Sequence, residues 1–167
     1  MDYNIAIYQK HPAYKIVDFR YIILFIHHLH FIGIAQSKCL YYEKTMFKIR
    51  LRDSFSSAHM LRGYQGDCER LHGHNYRIEV TICSPDLNEI GIIADFRDIK
   101  QSIKDCLNPL DHRLLNDLQD FSSDNPSAEN IARHIFLKLK PIIKEPAKLF
   151  EVEVWENDNC SALFCEG

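Results

Sequence analysis

Apolar and polar residues alternate along FKIRLRDSFSSAH (47–59), with Phe47, Ile49 and Leu51 on one side. A period of two is that of a half-buried strand. It returns in HNYRIEVTICS (74–84), where Tyr76, Ile78, Val80 and Ile82 form one row. The period then changes. In FRDIKQSIKDCL (96–107), Phe96, Ile99, Ile103 and Leu107 recur at helical spacing. Asn125-Pro126 announces a second helix, as N-cap and first turn, and Ala128, Ile131, Ala132, Ile135, Phe136 and Leu139 line one side of it. Alternation resumes in LFEVEVWE (149–156) and, after a short NDN turn, in CSALFCE (160–166). The connections LRGYQGD (61–67), SPDLNEIG (84–91) and NPLDHRLLND (108–117) read as loops. The order ββααββ with short links predicts an α+β fold: an antiparallel four-stranded sheet with two helices on one face.

Residues 1–45 follow a different pattern. They hold five Lys/Arg and three Asp/Glu, a net of +2, which leaves −5 for residues 46–167 of a chain whose total is −3. Their apolar run YIILFIHHLHFIGIA (21–35) is broken by His27, His28 and His30. Its 15 residues fall short of the roughly 20 that span a bilayer, and a signal peptide would want the run earlier and a more convincing small-residue cleavage site after it. A membrane anchor there is the weaker alternative. The expectation is an extension, disordered or preceding the functional start, followed by a domain from Met46 onward.

Composition adds little to this picture and excludes some functions. Hydrophobic content of 46% and charged content of 26% are those of a globular protein, and a net charge of −3 argues against a nucleic-acid binder. The six cysteines form no CxxC pair, so reduced thiols in the cytoplasm are expected, with Cys83, Cys106 and Cys165 as packing residues.

The chemistry concentrates in CERLHGHNYRIEV (68–80). At the start of a strand, His72 and His74 point to the same face, and Gly73 between them lets the backbone crowd close to an ion. If 47–59 pairs with 74–84, His59 lies across the loop from both. Three neutral imidazoles with an open fourth position describe a catalytic zinc site; the alternative is structural histidines that met by chance. Cys68 lies in the loop that these ligands bracket. A thiolate beside a cation is a competent base or nucleophile, and a semi-buried structural cysteine is the alternative. Asp111 beside His112 can orient or charge-stabilise the imidazole. Glu156, at a strand end, can accept from a paired N–H donor set or stand as a solvated charge.

FSSAH (55–59), CERLHGHNY (68–76), GIIADF (91–96), LDHRLLN (110–116), NPSAEN (125–130) and VWE (154–156) together resemble the 6-pyruvoyl-tetrahydropterin synthase superfamily. The resemblance covers nearly all of residues 46–167 and implies the tunnelling fold, whose subunits close into a homo-oligomeric barrel. The Cys-x3-His-Gly-His spacing resembles the queuosine-pathway 6-carboxy-5,6,7,8-tetrahydropterin synthases. The animal pyruvoyl enzymes have a longer spacing, and a folate-pathway subgroup carries Glu where Cys68 stands. The resemblance implies zinc on His59, His72 and His74, with Cys68 as catalytic thiol. It also implies Asp111 and His112 as proton-transfer partners approaching from a neighbouring subunit, and Glu156 as the carboxylate that anchors the pterin ring. Asn157 and Ser127 stand where the family has threonine. The implied substrate is 7,8-dihydroneopterin triphosphate, cleaved to 6-carboxytetrahydropterin, acetaldehyde and triphosphate. The rival readings are triphosphate elimination to a pyruvoyl product, and a non-catalytic zinc- or pterin-binding module, which should lack one of Cys68, Asp111, His112 or Glu156.

Overall fold

A computed structural model of the protein describes residues 46–166. The extension 1–45 lies outside the described residues. Strands β1 (Phe47–His59) and β2 (His72–Ser84) are followed by helices α1 (Phe96–Leu107) and α2 (Ala128–Leu139), then β3 (Lys148–Trp155) and β4 (Ser161–Phe164). Three single 3₁₀ turns, Asp67–Glu69, Leu115–Asp117 and Gln119–Phe121, punctuate the connections. The strands form one antiparallel sheet in the order β1-β2-β3-β4. The ββααββ layout expected from the periodicity is the one observed.

The expected row on β2 is the floor of the core. Tyr76, Ile78, Val80 and Ile82 are buried, and Val152 and Val154 continue that face on β3. Against it pack Ile99, Ile103 and Leu107 of α1 and Ile131, Ile135 and Leu139 of α2. Full burial of each such side chain contributes about 1.5–3 kcal/mol. Phe96, in helical phase with the α1 stripe, is nevertheless exposed, as the first residue of the helix. On the opposite sheet face Glu79 is buried as well. Arg52 Nε donates to it at 2.6 Å from β1, and Arg50 approaches at 3.3 Å.

Some local readings change. The N-cap of α2 is Ser127, whose hydroxyl accepts from the Asn130 backbone N–H, and not Asn125. Asn125 is used two residues earlier. Its Oδ1 accepts from the Arg62 backbone N–H at 2.8 Å, and its Nδ2 donates to the Arg62 carbonyl at 3.0 Å. Two-point pairing with a distant backbone satisfies more of the amide than a cap would. Strand β2 begins at His72, so both of its histidines lie inside the ladder. Gly73 faces away from them: a Cβ there would meet the Ser57 carbonyl oxygen at 3.3 Å, so its smallness serves strand pairing and not access to an ion. Cys83 is buried as expected, but Cys165 is exposed, lying beyond the end of β4. Cys106 is half-buried, and burial pushes its thiol up to about 11. Among the described residues no helix is long and apolar enough to cross a membrane.

Candidate metal centre and active site

The hairpin register places three histidines together. His59 pairs directly with His72, and Ser57 with His74, at the loop end of the β1–β2 ladder. Side chains two apart on a strand share a face, so His59, His72 and His74 all project from the side that the helices cover. One ring nitrogen from each lies within 4.8 Å of the others.

The tautomers follow from what each ring faces. His59 Nδ1 is 2.6 Å from the Pro126 carbonyl oxygen, and His72 Nδ1 is 2.7 Å from the Arg70 carbonyl oxygen. A carbonyl only accepts, so both imidazoles donate from Nδ1 and carry a lone pair on Nε2. Those two Nε2 atoms lie 3.0 Å apart. Two lone pairs at that distance repel unless a cation or a shared proton stands between them. The spacing is close to the roughly 3.3 Å edge of a tetrahedron with zinc–nitrogen bonds of about 2.0–2.1 Å. His74 Nε2 is buried with no hydrogen-bond partner. Burial holds the His59 imidazole below its ordinary pKa, against the opposing pull of the Pro126 carbonyl, and keeps the lone pair available. Three backbone-oriented or unpartnered nitrogens aimed at one point fit a divalent, imidazole-seeking metal.

Glu156 follows the end of β3, one residue past the Arg77–Trp155 pair, which brings it to the end of the sheet where Tyr76 and the histidines of β2 lie. Cys68 sits in the 3₁₀ turn of the β1–β2 loop, half-buried and unbridged. The loop is pinned near this point, because the Leu61 N–H donates to the Cys68 carbonyl at 2.8 Å.

Asp111 and His112 are held elsewhere. Segment 111–114 runs along the outer edge of β1, bridging Ala58 to Leu114. The Ser56 N–H donates to Asp111 Oδ1 at 2.8 Å, and the His112 N–H donates to the Ser56 carbonyl at 2.6 Å. Asp111 Oδ2 receives His112 Nδ1 at 2.8 Å, so the aspartate fixes the ring's tautomer. The Ser56 amide, and then His112, hold the Asp111 carboxyl below its usual range. His112 takes a positive φ of 54°, uncommon for a residue with a Cβ, and its side chain is 80% exposed. No hydrogen bond links this pair to the three histidines or to Cys68 among the described residues. The structure thus groups His59, His72, His74 and Glu156, and keeps Asp111–His112 as a separate, outward-facing pair.

The sequence reading missed the two carbonyls that orient the ligands, Pro126 and Arg70. It counted Tyr76 only as a core residue. The period-two pattern that put Tyr76 on the covered face also puts it two positions from His74, which was the available signal.

A family model described as 6-pyruvoyl tetrahydropterin synthase matches residues 48–166. A Haemophilus influenzae protein named 6-carboxy-5,6,7,8-tetrahydropterin synthase is 35% identical, over 72% of this chain and 98% of its own. A Rickettsia bellii protein of the same name is 31% identical, over 69% and 97%. The solved structure of Caenorhabditis elegans 6-pyruvoyl tetrahydropterin synthase superposes with a TM-score of 0.67 at 26% identity, over 74% of this chain and 97% of that one. Motifs, layout and relatives agree: this chain belongs to the 6-pyruvoyl tetrahydropterin synthase family.

Proposed function

We propose that the protein is a zinc-dependent 6-carboxy-5,6,7,8-tetrahydropterin synthase of queuosine biosynthesis. It takes 7,8-dihydroneopterin triphosphate and water to 6-carboxytetrahydropterin, acetaldehyde and triphosphate. The observation that carries this reading is the facing pair of bare Nε2 atoms on His59 and His72, with His74 Nε2 unpartnered beside them. The names of the bacterial relatives support the carboxy product.

His59, His72 and His74 would hold the zinc, which supplies Lewis-acid polarisation of the substrate's side-chain hydroxyls. Glu156 accepts from the paired N–H groups of the pterin ring. Cys68 moves a proton at the side-chain carbon next to the ring. His112, held in one tautomer by Asp111, is the second proton carrier. The exposure of His112 supports its serving a site on a neighbouring subunit, and hence a homo-oligomer closed into a barrel. Five free cysteines among the described residues support a reducing, cytoplasmic setting.

A second reading has its own support. A Drosophila melanogaster protein named 6-pyruvoyl tetrahydrobiopterin synthase is 30% identical over 63% of this chain and 71% of its own. Triphosphate elimination without carbon–carbon cleavage would use the same residues. Incubation of the zinc-loaded protein with 7,8-dihydroneopterin triphosphate, followed by mass spectrometry, decides between them. Acetaldehyde with a 6-carboxy pterin is expected, and a pyruvoyl pterin without acetaldehyde would select the alternative. Cys68→Ala should retain zinc and release neither.

A further inference from the structure

Two buried side-chain polar atoms lack a hydrogen-bond partner among the described residues, and both are on β2: His74 Nε2 and Tyr76 Oη. A metal held by the three histidines would account for the first. The second is a phenol of 0% exposure, and a buried hydroxyl left unpaired costs about 1–3 kcal/mol. Such an atom calls for an acceptor that the site itself supplies.

The Tyr76 ring is fixed. Phe55 stacks on it with centroids 4.9 Å apart, while His59 and His74 meet it edge-on at 5.9 and 5.4 Å. The hydroxyl therefore has a set position, next to the metal cluster and on the same face. Glu156 is the neighbouring carboxylate. The β2–β3 ladder pairs Ile78 with Val154 and Arg77 with Trp155. One further step puts Glu156 opposite Tyr76, on the face shared with Val154 and Val152. Directly opposed residues have Cβ atoms about 4.5–5.5 Å apart. The Glu156 carboxylate makes no side-chain hydrogen bond among the described residues, yet its charge acts on the Tyr76 hydroxyl and on His59. A buried phenol hydroxyl with no partner of its own gains by donating to a carboxylate across the strand pair.

We propose that Tyr76 is a positioning residue: its hydroxyl donates to the Glu156 carboxylate and aims that carboxylate at the ring of the bound heterocycle. The inference rests on the reading of Glu156 as the ring-binding carboxylate and extends it by one residue. A carboxylate on three rotatable bonds presents both oxygens to a paired N–H donor set only if something fixes its plane. A hydroxyl locked by three aromatic neighbours is suited to do so.

The test is a double-mutant cycle on the zinc-loaded full chain, with 7,8-dihydroneopterin as the titrated probe. Tyr76→Phe keeps the ring and its stacking, so it should fold and hold as much zinc as the wild type. It should weaken the probe's Kd by about tenfold, the scale of a lost hydrogen bond to a charged group. With the triphosphate substrate, KM should rise by a similar factor and kcat should change much less. Glu156→Ala should weaken binding further, and adding Tyr76→Phe to it should cost nothing more, because the hydroxyl then has no carboxylate to hold. Equal cost of Tyr76→Phe in both backgrounds, an unchanged Kd, or loss of zinc from Tyr76→Phe would each overturn the proposal. If Glu156→Ala binds the probe as the wild type does, the ring-carboxylate reading itself fails, and the inference with it. If Glu156→Ala binds weakly but Tyr76→Phe binds normally, the inference fails alone.

Discussion

His59, His72 and His74 stand on the covered face of the sheet, each placed by strand register, with ring nitrogens fixed by backbone carbonyls or buried without a partner. Asp111 and His112 stand on the outer edge of β1, placed by an irregular turn with a left-handed residue, and the imidazole is turned outward. Main-chain contacts help to order both sets, and they differ in placement and in exposure. The first is finished within one chain. The second is a pre-oriented, solvent-facing pair that makes no hydrogen bond to the cluster among the described residues, and the proposed role on a neighbouring subunit would use it in that form. Order without burial is costly to build, because a histidine at positive φ carries backbone strain, and strain of this kind clusters at functional positions.

The contrast breaks most sharply at the cluster. His72→Ala or His74→Ala should empty the metal site and reduce turnover by a thousandfold or more, on the order of the several kcal/mol that Lewis-acid polarisation supplies. Metal analysis of the purified variants checks it. Full metal content in both would disprove the site. Next in size is His112→Ala, expected to keep its metal and lose about 10²–10⁴ in kcat, as for a missing proton carrier. If the pair serves a neighbour, mixing His112→Ala with Cys68→Ala subunits should restore part of the activity, since some boundaries would then unite an intact thiol with an intact imidazole. No recovery after subunit exchange would place all three residues in one chain's site.

A smaller effect separates the two regions by pH. Burial lowers the pKa of His59 from 6.5, and does the same to His134 on α2. A histidine depressed in the folded state binds its proton preferentially when unfolded, so stability is present above pH 6.5 and is lost as pH falls below it. Metal binding adds to that slope because protons compete for the same nitrogens. Asp111 is depressed too, but from 3.8, so its contribution is lost only in stronger acid. Metal release and a falling melting temperature below pH 6.5, with the Asp111 region unaffected until well below pH 5, is the expected sequence in a pH-resolved melt. The smallest effect concerns the extension. Every residue named in the site lies within 46–166, so a chain starting at Met46 is expected to bind zinc and turn over as well as the full chain. Inactivity of the shorter chain would make residues 1–45 part of the fold.

Much of this architecture was legible because it rests on period. Alternation placed all four strands within two residues of their ends, and it carried His59, His72 and His74 to one face once the hairpin was assumed. Helical spacing placed α1 and α2. What escaped depends on contacts between residues far apart in the chain. Asn125 looked like a cap, and only its proximity to Arg62 shows why Ser127 takes that role. The carbonyls of Pro126 and Arg70 have no side-chain signature. The placement of Asp111–His112 on the β1 edge follows from backbone bonds to Ser56, which no pattern of residue types announces.

The clasp between Asn125 and Arg62 also bears on how the β1–β2 loop tolerates changes of length. The loop is tied at its base three times: Met60 to the Asn116 amide, Leu61 to Cys68, and Arg62 to Asn125. Beyond these ties, Gly63, Tyr64, Gln65 and Gly66 form an exposed tip, with Gly63 at a φ of 77° that favours glycine. Residues inserted at the tip would lengthen it outward without passing through the ties. The spacing between the thiol and the histidines is therefore insulated from loop length at residues 63–66, and is set instead by the four positions from Cys68 to His72.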